Sequence, residues 1–313
     1  EDFTRCRQLA ANQTHVFCIA GAPERAPAVL AIEQISGAVR ILAGGAQPLA
    51  VDQLSRPQPM RFPTGAGEVA HAFFYPPANA NCRGESGALP PLVVFAHGGP
   101  TSASYPVFDP RIQYWTQRGF AVVDVNYRGS SGFGRAYRQR LREQWGIVDV
   151  EDACQAARAL VEQGEVDPQR LFIRGSSAGG FTALSALATT ALFRGGASLY
   201  GVSDPLALRR VTHKFEGDYL DWLIGDPQQV PERFRERAPL HNADRIGAPV
   251  IFLQGGQDAV VLPQQTESMV AALHDRGIEV EYRLYPEERH GFRQAANLAD
   301  ALQGELLFYQ QLL

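Results

Sequence analysis

The chain is almost without lysine: Lys214 is the single one among its 29 basic residues, and the arginines are scattered rather than gathered into a stripe. Against 33 acidic residues they leave a formal charge of −4. The basic excess that a phosphate backbone demands is missing, so no nucleic-acid partner is expected. Cysteine is scarce as well. Cys6, Cys18, Cys82 and Cys154 form no CxxC pair and no Cys/His group with metal spacing, so neither a metal nor a cofactor is expected. Four cysteines in 313 residues are too few for a disulfide scaffold, and free thiols in a reducing, cytoplasmic setting are the expectation. No apolar run nears the roughly 18 residues of a membrane span, and the opening EDFTRCRQLA has no signal-like core, so no membrane partner is expected either. Position 1 is not methionine, which leads us to expect a chain trimmed from a longer parent.

What is present is ample core material, 45% apolar residues, in two contrasting textures. Between His15 and Ala43 the pieces HVFCIA, AVLAIE and AVRILA, separated by turn residues, predict three small antiparallel strands. Such a meander cannot bury its own apolar face, so residues 1–50 read as a fragment of a larger β domain. Residues 51–66 continue a proline- and glycine-rich stretch without periodicity and read as a linker. From 67 to 313 strands alternate with helices: PLVVFAH, FAVVDVNY, RLFIRGS, ASLYG, APVIFLQGG and VEYRLYP are the strands, and helices are predicted near 109–118, 149–163, 178–187, 263–276 and at the C-terminus. Repeated βα units predict an α/β fold with a mostly parallel central sheet covered by helices on both faces.

Gly175-Ser176-Ser177-Ala178-Gly179-Gly180 matches GxSxG and lies between a predicted strand and a predicted helix, the context of a nucleophile elbow in the α/β-hydrolase fold. Serine is a weak nucleophile at neutral pH and needs a base within reach and an acid to fix that base. In this fold the chain order is serine, acid, histidine. Asp258 follows the strand VIFLQGG and His290 follows EYRLYP, and of the seven histidines only His290 satisfies that order outside a helix. Acyl transfer also needs donors aimed at the developing oxyanion. The backbone N–H of Ala178 is one candidate, and the loop His97-Gly98-Gly99-Pro100 follows the strand that normally supplies the other.

PPLVVFAHGGPTS, VNYRGSSGFGRAYR, VDVEDA, RGSSAGGFTAL, LYGVSDP, THKFEGDYL, LQGGQDAVVLPQQ and YPEERHGFR resemble, in order, the prolyl oligopeptidase family of serine peptidases, nearest its acylaminoacyl-peptidase and dipeptidyl-aminopeptidase-like branch. The likeness runs from about residue 55 to the end. It implies that the second oxyanion donor is the hydroxyl of Tyr127, with His97 to Pro100 as a supporting loop, and that Val202, Tyr219, Trp222 and Val261 lie near the pocket for the side chain preceding the cleaved bond. It further implies short peptides as substrates and an N-terminal β-propeller in the parent, of which residues 1–50 resemble only the last strands. Glu33 and Glu216 do not decide between aminopeptidase and acylpeptidase behaviour.

The expected function is therefore hydrolysis of short peptides through Ser177, His290 and Asp258 and an acyl-enzyme. A carboxylesterase of the same fold, or a non-catalytic interaction domain built on it, are the alternatives, and the face left by an absent propeller would favour a homo-oligomer.

Overall fold

A computed structural model describes residues 3–82, 84–85, 87–212 and 217–313. The chain builds two sheets. In the first, β1 (Arg5–Ala11), β2 (His15–Gly21), β3 (Ala28–Glu33) and β4 (Val39–Gly44) pair antiparallel in chain order. The meander expected from three apolar pieces thus has a fourth strand, RCRQLAA, which is exposed over nearly its whole length and carries no apolar alternation to betray it. Its core is small, Cys18, Ala20, Ala28 and Leu30 with Phe3 and Ile32 packed against them, while every residue of β4 is exposed.

The second sheet has eight strands in the order β12-β11-β10-β9-β7-β8-β6-β5. They are β5 (Gln58–Thr64), β6 (Glu68–Tyr75), β7 (Leu92–Ala96), β8 (Ala121–Asn126), β9 (Leu171–Ser176), β10 (Gly195–Leu199), β11 (Val250–Gly255) and β12 (Val280–Tyr285). From β8 to β12 neighbours run parallel, whereas β6 pairs antiparallel with both β8 and β5. The segment 51–66 is therefore not the unstructured linker its prolines suggest. Seven of its residues form an edge strand in register with β6, from Gln58 opposite Phe74 to Thr64 opposite Glu68. Proline cannot donate to a ladder, but at an edge half the N–H groups face outward, and Pro59 and Pro63 are tolerated there.

Nine α-helices are found among the described residues: α1 (Pro110–Thr116), α2 (Gly134–Gln139), α3 (Val148–Glu162), α4 (Ala178–Thr189), α5 (Pro205–Val211), α6 (Tyr219–Ile224), α7 (Pro231–Arg237), α8 (Pro263–His274) and α9 (Ala295–Gln311). Strand alternation distributes them over both faces. Leu92 and Val94 of β7 join one core with Ala153, Leu160, Leu184 and Met269 of α3, α4 and α8. Val93 and Phe95 join the other with Ile112 and Trp115 of α1 and Phe308 and Tyr309 of α9. A third cluster, including Trp145, Phe181, Leu220, Leu223 and Val261, lies with α6 over the C-terminal end of the sheet. The strand order reverses about β7, which sits between β8 and β9, so the loops leaving β7 and β9 meet at a switch point where ligands of such sheets bind.

Two buried ion pairs fasten helices to this frame. Arg174 of β9 donates to Glu305 of α9 at 2.8 Å and lies 4.5 Å from the centre of the Phe95 ring. Arg128, just after β8, donates to both oxygens of Asp152 on α3, and Thr64 at the end of β5 donates to the same carboxylate. Asp152→Ala removes the buried partner of Arg128 and leaves its guanidinium only the partly exposed Glu151 carboxylate as anionic partner, and we expect urea denaturation to show a loss of roughly 2–4 kcal/mol.

Candidate active site

The turn between β9 and α4 is sharp because Ser177 adopts φ 55° and ψ −121°, a conformation that L-residues rarely hold. Its neighbours make it affordable. A Cβ on Gly175 would lie 2.1 Å from the carbonyl oxygen of Gly179, and one on Gly179 would lie 2.0 Å from that of Ala96. Only bare backbone lets helix, elbow and β7 approach so closely, which is the physical content of the GxSxG pattern.

Asp258 sits in the turn after β11 with its side chain fully buried. Its Oδ1 accepts the amides of Val260 and Val261 at 2.8 and 3.0 Å, leaving Oδ2 directed at His290 Nδ1, 2.8 Å away. With Nδ1–H donating to that carboxylate, Nε2 is left as an acceptor, and it lies 2.9 Å from Ser177 Oγ. The Tyr200 ring meets the imidazole edge-on, with centroids 5.0 Å apart. The structure thus brings Ser177, His290 and Asp258 into one hydrogen-bonded line. A serine relieved of its proton by the imidazole is a nucleophile at neutral pH, and the buried carboxylate stabilises the imidazolium that results.

Ala178 opens α4, so its backbone N–H stands at the helix N-terminus beside Ser177. Tyr127 is placed otherwise than expected. It is wholly buried, and its hydroxyl lies 2.9 Å from the carbonyl oxygen of Pro100 and 3.0 Å from that of His97. One O–H proton committed to backbone acceptors beneath the loop cannot also serve an oxyanion above it, and Tyr127 does not line the cavity at Ser177. Of this loop Gly99 and Pro100 line the cavity at Ser177, and Gly98 packs beside the turn: a Cβ there would lie 3.5 Å from Ser177 Cβ and 3.1 Å from the Ser176 carbonyl oxygen. Half-buried His97 stacks on Tyr127 at 4.2 Å and binds Ser130 Oγ through Nε2 at 2.7 Å. Burial pushes its pKa from 6.5 down to about 4, against a weaker opposing hydrogen bond to the Gly98 carbonyl.

A cavity of about 480 Å³ opens beside Ser177 and His290. Val202, Tyr219 and Val261 line it, together with Trp145, Leu208, Leu220, Leu223 and Val260, which sequence reasoning did not single out. Trp222 does not. It stacks on the outer side of Tyr219, ring centroids 6.2 Å apart, in a shallow recess with Arg138 and Gln139. No Asp, Glu, Lys or Arg is among the described residues that line the cavity. The Tyr219 hydroxyl pairs with Thr101 Oγ1 at 2.6 Å, tying α6 to the loop after Pro100. Glu216 lies outside the described residues.

A family model described as the prolyl oligopeptidase family matches residues 106–313, two thirds of the chain. The chain belongs to the prolyl oligopeptidase family. Among curated relatives it is similar to dipeptidyl aminopeptidase BIII of Pseudoxanthomonas mexicana, 32% identical over 226 residues that make up 70% of this chain and 33% of that one. Among solved structures it is similar to a puromycin hydrolase, with TM-score 0.97 and 41% identity over 100% of this chain and 48% of the other. A puromycin-hydrolyzing peptidase of Mycobacterium tuberculosis superposes equally well, at TM-score 0.97 and 44% identity, over 99% of this chain and 48% of that one. The chain spans about half the length of these structures and about a third of the curated relative.

In this prolyl oligopeptidase-family chain one supporting residue lay unnoticed inside YPEERHGFR. Buried Glu288 accepts the amides of Arg293 and Gln294 and the side chain of Asn297, each at 2.9 Å, and so pins the His290 loop to the start of α9. A carboxylate two residues before the histidine was the only signal for it in the sequence.

Two consequences for the loop over β7 can be measured. Tyr127→Phe removes the single O–H shared by the His97 and Pro100 carbonyls, and we expect roughly 1–3 kcal/mol of lost stability in urea titration. Folding holds His97 neutral, whereas the unfolded chain takes up the proton below about 6.5. Stability therefore falls as pH drops from 6.5 to about 4 and this contribution is flat below that. The difference in unfolding free energy between wild type and His97→Gln is expected to change by about 2–3 kcal/mol across that window.

Proposed function

We propose that this chain is the catalytic part of a serine peptidase that hydrolyses short peptides through an acyl-enzyme, with Ser177 as nucleophile, His290 as general base and acid, and Asp258 as its orienting carboxylate. The observation that carries the reading is the unbroken line from Asp258 through His290 to a serine on a strained elbow. Ser177 Oγ attacks the substrate carbonyl carbon while its proton passes to His290 Nε2. The tetrahedral centre places its oxyanion between the N–H of Ala178 and, in place of the Tyr127 hydroxyl, the N–H of Gly98. The carbon–nitrogen bond breaks as His290 returns the proton to the leaving amine. Water then enters, gives a proton to His290 and releases the acid, and Ser177 Oγ regains its proton.

The cavity walled by Val202, Tyr219 and Val261 takes the side chain preceding the cleaved bond. The described residues of its lining are largely apolar and carry no Asp, Glu, Lys or Arg, which favours a bulky apolar or aromatic group over a charged one. Peptide substrates are supported by the relatives' names and by a solved mutant of puromycin hydrolase complexed with PGG, itself 41% identical to this chain. Residues 1–50 read best as part of a larger N-terminal domain of the parent, because the neighbours extend over about twice this chain's length and the small four-stranded sheet exposes Leu9, Ile35, Val39, Ile41 and Leu42. A reducing, cytoplasmic compartment suits the free thiols of Cys6, Cys18, Cys82 and Cys154.

Covalent labelling by a fluorophosphonate tests the nucleophile: wild type labels and Ser177→Ala does not, while retained labelling removes Ser177 from its role. A chromogenic panel of free-amine, acetylated and internal-proline peptides beside p-nitrophenyl butyrate, run on the parent protein, tests the chemistry. Turnover of peptides with Phe or Leu before the cleaved bond, at least tenfold above those with Asp or Lys, is expected. Turnover of the ester alone would make the protein a carboxylesterase.

A further inference from the structure

On the far side of the Trp145 wall, away from Ser177, lies a second cavity of about 340 Å³ to which the chemistry above gives no task. Three arginines line it. Arg233 and Arg237 project from α7 and Arg245 from the turn that follows, with Glu236 the one acidic group on the lining. Arg233 spends Nη1 on Glu143 and the Ile224 carbonyl, and Arg237 spends Nη1 on the carbonyls of Glu143 and Trp145. Arg245 makes no hydrogen bond or ion pair among the described residues. From the opposite wall comes Ser185 of α4, 94% buried by its 6% exposure, whose hydroxyl has no hydrogen-bond partner among the described residues.

A buried hydroxyl without a partner is uncommon in a well-packed core, and it costs stability unless something absent from the isolated chain satisfies it. Guanidinium groups crowded together repel one another: burial first, and Arg233 second, lower the pKa of Arg237 to about 10. An oxyanion relieves both defects. It accepts from the hydroxyl and from the guanidinium N–H groups left over by Arg233 and Arg237, and its charge offsets theirs. A fully apolar guest or a cation does neither.

The geometry points to a binding site for a small phosphate-bearing anion formed by Ser185, Arg233, Arg237 and Arg245. The anion is set one layer behind the active cavity. The arginine that donates to the Trp145 carbonyl faces the anion, the Trp145 ring lines the active cavity, and that ring packs on Phe181 of α4, the helix that follows Ser177, centroids 4.2 Å apart. The lining of the two cavities shares no residue, so occupancy of one leaves the other open.

Isothermal titration of the whole chain with inorganic phosphate, pyrophosphate and a nucleoside triphosphate, each against chloride at matched ionic strength, tests the site. We expect one saturable site for at least one of the three, with a dissociation constant of about 1 mM or tighter. Arg245→Ala and Ser185→Ala should each weaken it at least fivefold while far-UV circular dichroism and fluorophosphonate labelling of Ser177 stay as in wild type. Arg245 is exposed and unpaired, so its variant is expected to fold even if Ser185→Ala does not. Heats no larger than those of chloride for all three anions, or the same affinity in Arg245→Ala as in wild type, overturn the assignment.

Discussion

The structure depends on one close approach of three backbones: the end of β9, the first turn of α4 and the end of β7. Ser177 holds a backbone conformation that costs on the order of 1–3 kcal/mol, and it persists only because its surroundings leave no other path. Gly175 and Gly179 have no side chains where the peptides touch, and the amide of Ser177 is fixed on the Leu199 carbonyl of the adjoining β10. This approach brings Ser177, the N–H of Ala178 and the loop of Gly98 together. A methyl group added at Gly175 or Gly179 would push apart the parts that define the site, not merely perturb a side chain.

Groups that touch the reacting centre and groups that hold them are separated by a layer. Asp258 and Glu288 are both buried acids, but Asp258 spends one oxygen on backbone amides and keeps the other for His290, whereas Glu288 spends its hydrogen bonds on the loop and on α9. Tyr127 and His97 likewise form a stacked pair under the Gly98 loop. Their polar atoms face backbone carbonyls and Ser130, so they tie the loop to the strands beneath it. The distinction follows from counting donors: a phenol has one proton to give, and here it is given to the protein.

That is also where the sequence stopped being legible. The strands of the central sheet could be read because parallel strands buried on both faces are continuous apolar runs, as in PLVVFAH and VIFLQGG. Ser177, Asp258 and His290 could be picked out because the fold dictates their chain order, which is a one-dimensional property. Tyr127 could not be assigned in the same way: a motif fixes that a residue follows β8, but not whether its hydroxyl points into the cavity or down into the core. The same holds for Tyr219 and Trp222, three residues apart on one helical turn, of which one lines the cavity and the other only backs it. β5 was hidden by Pro59 and Pro63, and β1 by its apolar residues Cys6, Leu9, Ala10 and Ala11 not alternating with polar ones.

Chemistry and selectivity rest on different parts of the molecule. Ser177, Asp258 and His290 all stand on loops leaving β9, β11 and β12 of one continuous sheet, whose pairing leaves little freedom. The apolar wall, by contrast, comes largely from the excursion between β10 and β11, where α5 and α6 contribute Leu208, Tyr219, Leu220 and Leu223. These helices are seven and six residues long, too short to be stable alone, and are held by packing onto Trp145 and Phe181. Substitutions at Leu208, Leu220 or Leu223 can reshape the pocket while the line from Asp258 to Ser177 stays in place, because the excursion meets that line at its start, where Tyr200 packs on His290 and the Val202 amide donates to the Ser177 carbonyl. The separation is built into where the sheet ends and the excursion begins.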